Sequence, residues 1–199
     1  RLHCLVPIAT CRFVPAIRSF TRALETLRVY QISPSKSREF GVPIPRPELD
    51  RLGGNLPAVI DVLSKRSHER WETVMQLMRT ILPNLQKIEV DYTSSRTLGL
   101  QFHETGYARP WSVGEVSDGT IQTLALLVAI LGSDARLMVI EEPENSVHPW
   151  IIRQIIEACR AASDNKQIVI TTHSPVAINL AKPQEIRVLW RAQGETQMS

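Results

Sequence analysis

LMVIEEPENSVHP, residues 137–149, and IVITTHSP, residues 168–175, decide the fold. Each is a short apolar run that stops abruptly at polar residues, and a helix of suitable length joins them. From Ser117 onward the chain reads apolar helix, apolar strand, helix, strand, helix, strand. This alternation predicts an α/β fold with a mostly parallel sheet flanked by helices. Residues 137–141 and 167–171 are expected to pair as parallel neighbours. In such a sheet ligands bind beyond the carboxyl ends of the strands, so the residues that end a buried strand are delivered to a site. Glu141 and Glu142 end the first strand, and Pro143 stops its pairing because it has no N–H to give.

Composition limits the classes available. At 199 residues with 43% hydrophobic content, the chain can build one sizeable core. The 23 basic and 20 acidic residues give a net charge of +3 with no block of one sign, which permits a nucleic-acid surface without indicating one. Cys4, Cys11 and Cys159 fit no zinc ribbon or redox pair and read as reduced, buried thiols, with a metal gathered by His3, Cys4 and Cys11 as the alternative. The longest apolar run, residues 124–131, is too short to span a bilayer and no secretory signal opens the chain, so a cytoplasmic protein without a membrane partner is expected. Because the chain opens on Arg1 and runs straight into apolar sequence, it reads as a fragment of something larger.

Upstream, residues 16–29 carry Phe20, Ala23, Leu24 and Leu27 at a helical period leading into YQI. Residues 33–47 hold four prolines and read as an exposed connector. Helices are expected over 55–63 and 70–82, the second with Trp71, Val74, Met75, Met78 and Leu82 on a core-packing stripe. KIEVDY and TLGLQFHE alternate around TSSR as a β-hairpin. The division expected is a helical connector and β-hairpin region over 1–116, then an α/β lobe over 117–199.

Three constellations carry chemistry. Two carboxylates side by side at an apolar strand end repel each other, and a divalent cation relieves that cost. A hard cation such as Mg²⁺ takes oxygen ligands, keeps waters and shares phosphates, while the neighbouring acid positions or deprotonates water. In the second, Thr171, Thr172, His173 and Ser174 end another strand before Pro175 opens a helix, placing a histidine where it can donate to a phosphate oxygen. In the third, Ser117, Asp118, Gly119 and Thr120 precede a uniformly apolar helix, so free backbone N–H groups gather at a helix N-terminus suited to an anion. Each also has a plain structural reading: a solvated strand end, a capping histidine, and a simple N-cap.

In this order the motifs resemble the head of an ABC-type ATPase. VSDGT resembles the signature motif, LMVIEE the Walker B strand with its catalytic glutamate, ITTHS the switch histidine, and ENSVHP the D-loop. The nearest likeness is to prokaryotic AAA_21 ATPases, related to the RecF, structural-maintenance and overcoming-lysogenization-defect proteins. YQISP and LGGNLPAVIDVL resemble the connecting region of that group. The resemblance implies a P-loop NTPase fold with ATP and Mg²⁺ as cofactors. Glu142 would polarise the hydrolytic water, Glu141 would support Mg²⁺ through its water shell, and His173 would contact the γ-phosphate. Ser117, Asp118, Gly119 and Thr120 would complete the ATP site of a partner protomer in a homodimer. Asn145, Ser146 and His148 would sit at the subunit junction.

The chain departs from the pattern in several places. Glu141 stands where many heads carry Asp, Asp118 replaces a glycine, Ile121 a glutamine and His148 the D-loop aspartate. No G-x-x-x-x-G-K-[ST] cradle for the triphosphate occurs. The chain therefore resembles the C-terminal part of a head lacking its Walker A lobe, and is expected to be inactive alone. Three functions are implied: an ATPase in DNA maintenance or antiphage defence, an ATPase partner of a separate nuclease, or a non-catalytic head remnant that docks a partner.

Overall fold

The computed structural model describes Thr21 and residues 24–199. Its central sheet is parallel and has the order β1 (Leu27–Tyr30), β5 (Leu137–Glu141), β6 (Gln167–Thr171). Leu27 pairs with Leu137 and Tyr30 with Ile140, while Leu137 pairs with Gln167 and Glu141 with Thr171. The two strands read from sequence as parallel neighbours are neighbours, with the expected bounds.

The helical period read over 16–29 gives way where it meets the sheet. Leu24 and Glu25 are helical, but Leu27–Tyr30 is a strand; Phe20 and Ala23 lie outside the described residues. The edge of β5 offers Leu27–Tyr30 a row of backbone partners, and β-branched Val29 and aromatic Tyr30 suit that pleated surface, so tertiary pairing overrides local periodicity. The last strand of the alternation also differs. β7 (Leu189–Ala192) pairs antiparallel with β8 (Glu195–Met198) in a separate hairpin, turned by Gln193 and Gly194 at positive φ, instead of extending the parallel sheet. The third parallel strand thus comes from before residue 117.

The core forms around α4 (Asp118–Gly132), every residue of which is buried from Thr120 to Ile130. A helix apolar on all sides must be covered on all sides. α1 (Pro34–Ser37), α2 (Leu56–Arg66), α3 (His68–Ile81) and α5 (Pro149–Ala162) all pack against it. The stripe on α3 is Trp71, Val74, Met75 and Met78, buried as read, with Leu82 packed against the same core. α5 buries Ile152, Ile155, Ile156 and Cys159, a spacing of three and four that lays one face on the core. Burial pushes the Cys159 thiol up to about 12, which leaves it an inert apolar filler. Cys4, Cys11 and His3 lie outside the described residues.

The hairpin is β2 (Leu85–Tyr92) against β3 (Leu98–Glu104), and β4 (Trp111–Ser112) adds a short third strand. The connector over 33–47 is exposed at Phe40, Val42 and Ile44, yet it contains α1, buries Ser37 and bridges Gly41 to Leu98. Among the described residues no helix is long and apolar enough to cross a membrane.

Candidate functional site

Every loop under consideration leaves the same end of the sheet or abuts a loop that does. After Glu141, the Glu142 N–H donates to the Thr171 carbonyl at 2.8 Å, which carries the β5–β6 ladder one residue past the strand. Glu142 then takes a φ of 45°, in the left-handed region that a non-glycine residue enters only where its surroundings hold it. Asn145 supplies the hold. Its backbone N–H donates to the Glu142 carbonyl at 3.1 Å and its Nδ2 to Glu142 Oε2 at 3.0 Å. The half-buried Glu142 carboxylate is thereby tied to the loop that follows it.

Glu141 has a different partner. Its Oε2 accepts from Arg51 Nη2 at 3.0 Å, and the same nitrogen donates to Gln31 Oε1 at 3.0 Å. The repulsion between two adjacent acids, from which a cation is inferred in the sequence, is thus offset in part by a guanidinium 90 residues away. This leaves Glu141 Oε1 for a ligand. Mg²⁺ commonly takes one or two protein carboxylates and completes its shell with waters and phosphates. A carboxylate with one oxygen on arginine could still hold such a metal through the other. Among the described residues no group of three or more His, Cys, Asp or Glu is arranged to hold an ion by itself.

The neighbouring loop follows β6. Thr172 Oγ1 donates to Glu144 Oε1 at 2.6 Å and accepts from the Ser174 N–H at 3.0 Å, while the His173 N–H donates to the same Glu144 oxygen at 3.1 Å. Ser174 caps α6 (Pro175–Leu180), its hydroxyl accepting from the Ala177 N–H. The His173 side chain stands exposed at the loop tip.

The third loop opens α4. Ser117 is its N-cap, with Oγ accepting from the Thr120 N–H at 3.1 Å and lying 2.9 Å from Thr120 Oγ1. A β-carbon on Gly119 would stand 2.8 Å from the Ser146 carbonyl oxygen, so only glycine allows this approach. Ser146 has a φ of 63°, and the turn it makes delivers that carbonyl. Asp118 is held from outside: Arg38 Nη1 donates to its Oδ1 at 2.6 Å, Nη2 to the Val116 carbonyl at 2.8 Å and Nε to the Val113 carbonyl at 3.2 Å. His148 caps α5, its Nδ1 accepting from the Trp150 N–H at 3.4 Å, ahead of Pro149 in the first turn.

The candidate residues thus fall into one connected set. Glu141 ends β5, and Glu142, Asn145, Ser146 and His148 share the loop after it; His173 joins through Glu144, and Gly119 through Ser146. Sequence reading passed over Glu144, Arg38 and Arg51. Glu144 lies within residues 137–149, an acid one residue past the proline that follows the two strand-end glutamates. Arg38 and Arg51 carry no local signal, because their partners lie 80 and 90 residues away.

The AAA_21 family model, "AAA domain, putative AbiEii toxin, Type IV TA system", matches residues 11–179. The chain belongs to the AAA_21 family. As an AAA_21 member it is an ABC-type, P-loop ATPase domain. Among solved structures, one described under ATP-driven dimerisation and DNA-stimulated activation of SMC ATPases has a TM-score of 0.55 at 13% identity, covering 70% of this chain and 88% of that one. An SMC head bound to the C-winged helix domain of ScpA has a TM-score of 0.58 at 11% identity, covering 87% of this chain and 54% of that one. An SMC head with a coiled coil and joint from Pyrococcus yayanosii has a TM-score of 0.53 at 13% identity, covering 70% of this chain and 28% of that one. At such identities the likeness is one of fold. The AAA_21 chain spans about half the length of the ScpA-bound head and less of the coiled-coil one. No curated protein matches it.

Proposed function

We propose that this AAA_21 chain is the C-terminal part of an ATPase head that binds and hydrolyses ATP at a homodimer interface, once a lobe bearing the phosphate cradle completes it. The observation that carries the reading is the anchoring of Glu142. Its amide sits on the Thr171 carbonyl and its carboxylate on Asn145, beside the loop that bears His173. A carboxylate so fixed can accept the proton of a water attacking a γ-phosphate, because it loses little freedom in reaching the transition state. His173, exposed at its loop tip, donates to a phosphate oxygen. Glu141 would hold Mg²⁺ through the oxygen that Arg51 does not engage. When bound, Mg²⁺ supplies positive charge against the phosphate oxygens.

The Ser117–Thr120 turn offers the N–H groups that Ser117 does not cap to the nucleotide held by the other protomer, and Asn145, Ser146 and His148 lie along the junction. The homodimer is supported by the likeness to a head described as dimerising with ATP. Action on DNA, or in defence against phage, agrees with the DNA stimulation named for that relative and with the toxin system in the family description. A nuclease would be a separate partner.

The test is Glu142→Gln in the complete protein. It keeps the size of the side chain and removes its charge. Hydrolysis should fall by about 10²–10⁴, while ATP binding survives and the nucleotide-bound dimer accumulates on size exclusion. Turnover at the parent rate would return the paired acids to a plain strand end, and the chain to a docking module.

A further inference from the structure

We propose that Glu144 is a positioning residue that sets the switch loop against the loop after β5, and so aligns His173 with Glu142. The inference rests on the ATPase reading above.

A carboxylate only accepts hydrogen bonds, which fixes the direction of the whole chain of contacts. The Ser174 N–H donates to Thr172 Oγ1, and the Thr172 hydroxyl donates to Glu144 Oε1 at 2.6 Å. The His173 N–H donates to that same oxygen at 3.1 Å. One acceptor atom therefore gathers the peptide of His173 and, through Thr172, that of Ser174. The backbone on both sides of the histidine is fixed from a single point. Two residues before that point stands Glu142, whose own amide is bound to Thr171. Glu144 closes the ring between the two strand ends.

The other oxygen of this carboxylate, Oε2, is buried and has no hydrogen-bond partner among the described residues. The carboxylate is therefore oriented through its Oε1 contacts, both of which lie on the switch loop. Asn145 and Ser146 follow at once, and the Ser146 carbonyl touches Gly119. A movement of His173 therefore reaches the α4 N-terminus through a short series of direct contacts.

The experiment compares Glu144→Ala, Glu144→Gln, Thr172→Val and Glu142→Gln in the complete protein, with steady-state ATP hydrolysis and amide spectra of ¹⁵N-histidine-labelled samples. Glu144→Ala should lower kcat about ten- to a hundredfold with KM for ATP little changed, since misplacing a catalytic group by about 1 Å costs on that order. Glu144→Gln keeps a carbonyl acceptor and should recover part of the loss, and Thr172→Val should fall between. The His173 amide should exchange with solvent faster in Glu144→Ala and stay protected in Glu144→Gln. If Glu144→Ala is too unstable to purify, the Gln and Val variants carry the same comparison. If Glu142→Gln abolishes hydrolysis while every Glu144 and Thr172 variant turns over at the parent rate, the ATPase reading stands and the role of Glu144 is overturned. It is overturned equally if Glu144→Gln is as impaired as Glu144→Ala with both losing ATP binding, which marks a purely structural residue. Parent turnover in Glu142→Gln removes both readings together.

Discussion

The Ser146 carbonyl oxygen lies 2.8 Å from where a β-carbon on Gly119 would stand. This contact joins the first turn of α4 to the loop after β5, and it is backbone against backbone, with no flexible side chain to yield. Gly119→Ala should therefore destabilise the chain by about 1–3 kcal/mol, the usual cost of adding a carbon to a filled space. Chemical denaturation measures it. A midpoint equal to that of the parent would show that the two loops separate freely, and would remove the path from Ser146 to α4.

The core makes a simpler demand. Leu124 and Leu127 are fully buried in α4, covered by several helices that cannot all collapse onto a hole. Leu127→Ala should cost about 2–5 kcal/mol, whereas Leu24→Ala, at a half-exposed position, should change stability little. Thermal unfolding of the two variants side by side checks the contrast.

Ahead of α4, Glu115 is held by Arg109 first and then by the backbone and hydroxyl of Ser112, which pull its carboxyl down to about 2 from its usual 4.5. A carboxylate depressed in the folded state adds stability that is fully present above about pH 4.5 and is lost as the pH falls through about 2. In Glu115→Gln that acid-dependent part should vanish. In Arg109→Ala the titration of Glu115, followed by carboxyl NMR, should move up toward the ordinary value. An unmoved titration would mean that Ser112 alone holds the group.

What the sequence disclosed, and what it hid, follows range of interaction. β5 and β6 were legible because an apolar run ended by Glu–Glu–Pro or Thr–Thr–His needs no distant information. The turn at Ser117–Thr120 was legible because a cap is local. β1 was not, since Leu27–Tyr30 takes its conformation from pairing with residues 110 positions further on, and a helical period upstream ran into it. The membership of β7 in a separate hairpin was equally hidden: a strand pattern does not say which edge it joins. At the site the sequence offered two neighbouring acids in need of a positive partner. It could not offer Arg51, which reaches Glu141 across 90 residues.

That partner gives the last prediction. Arg51 and Glu141 are both partly exposed, so their pair adds about 0–1 kcal/mol to the fold, and Arg51→Ala should unfold at nearly the parent temperature. Its effect should appear at the metal instead. Freed of the guanidinium, Glu141 has two oxygens for the water shell of Mg²⁺ and carries an uncompensated charge beside Glu142. In the complete protein, Arg51→Ala should reach half-maximal hydrolysis at a severalfold lower Mg²⁺ concentration, and Glu141→Gln at a severalfold higher one. Titrating Mg²⁺ at fixed ATP measures both. If the two variants share the parent's Mg²⁺ dependence, Glu141 does not serve the metal, and its ion pair with Arg51 is a fastening between the strand end and the upstream loop.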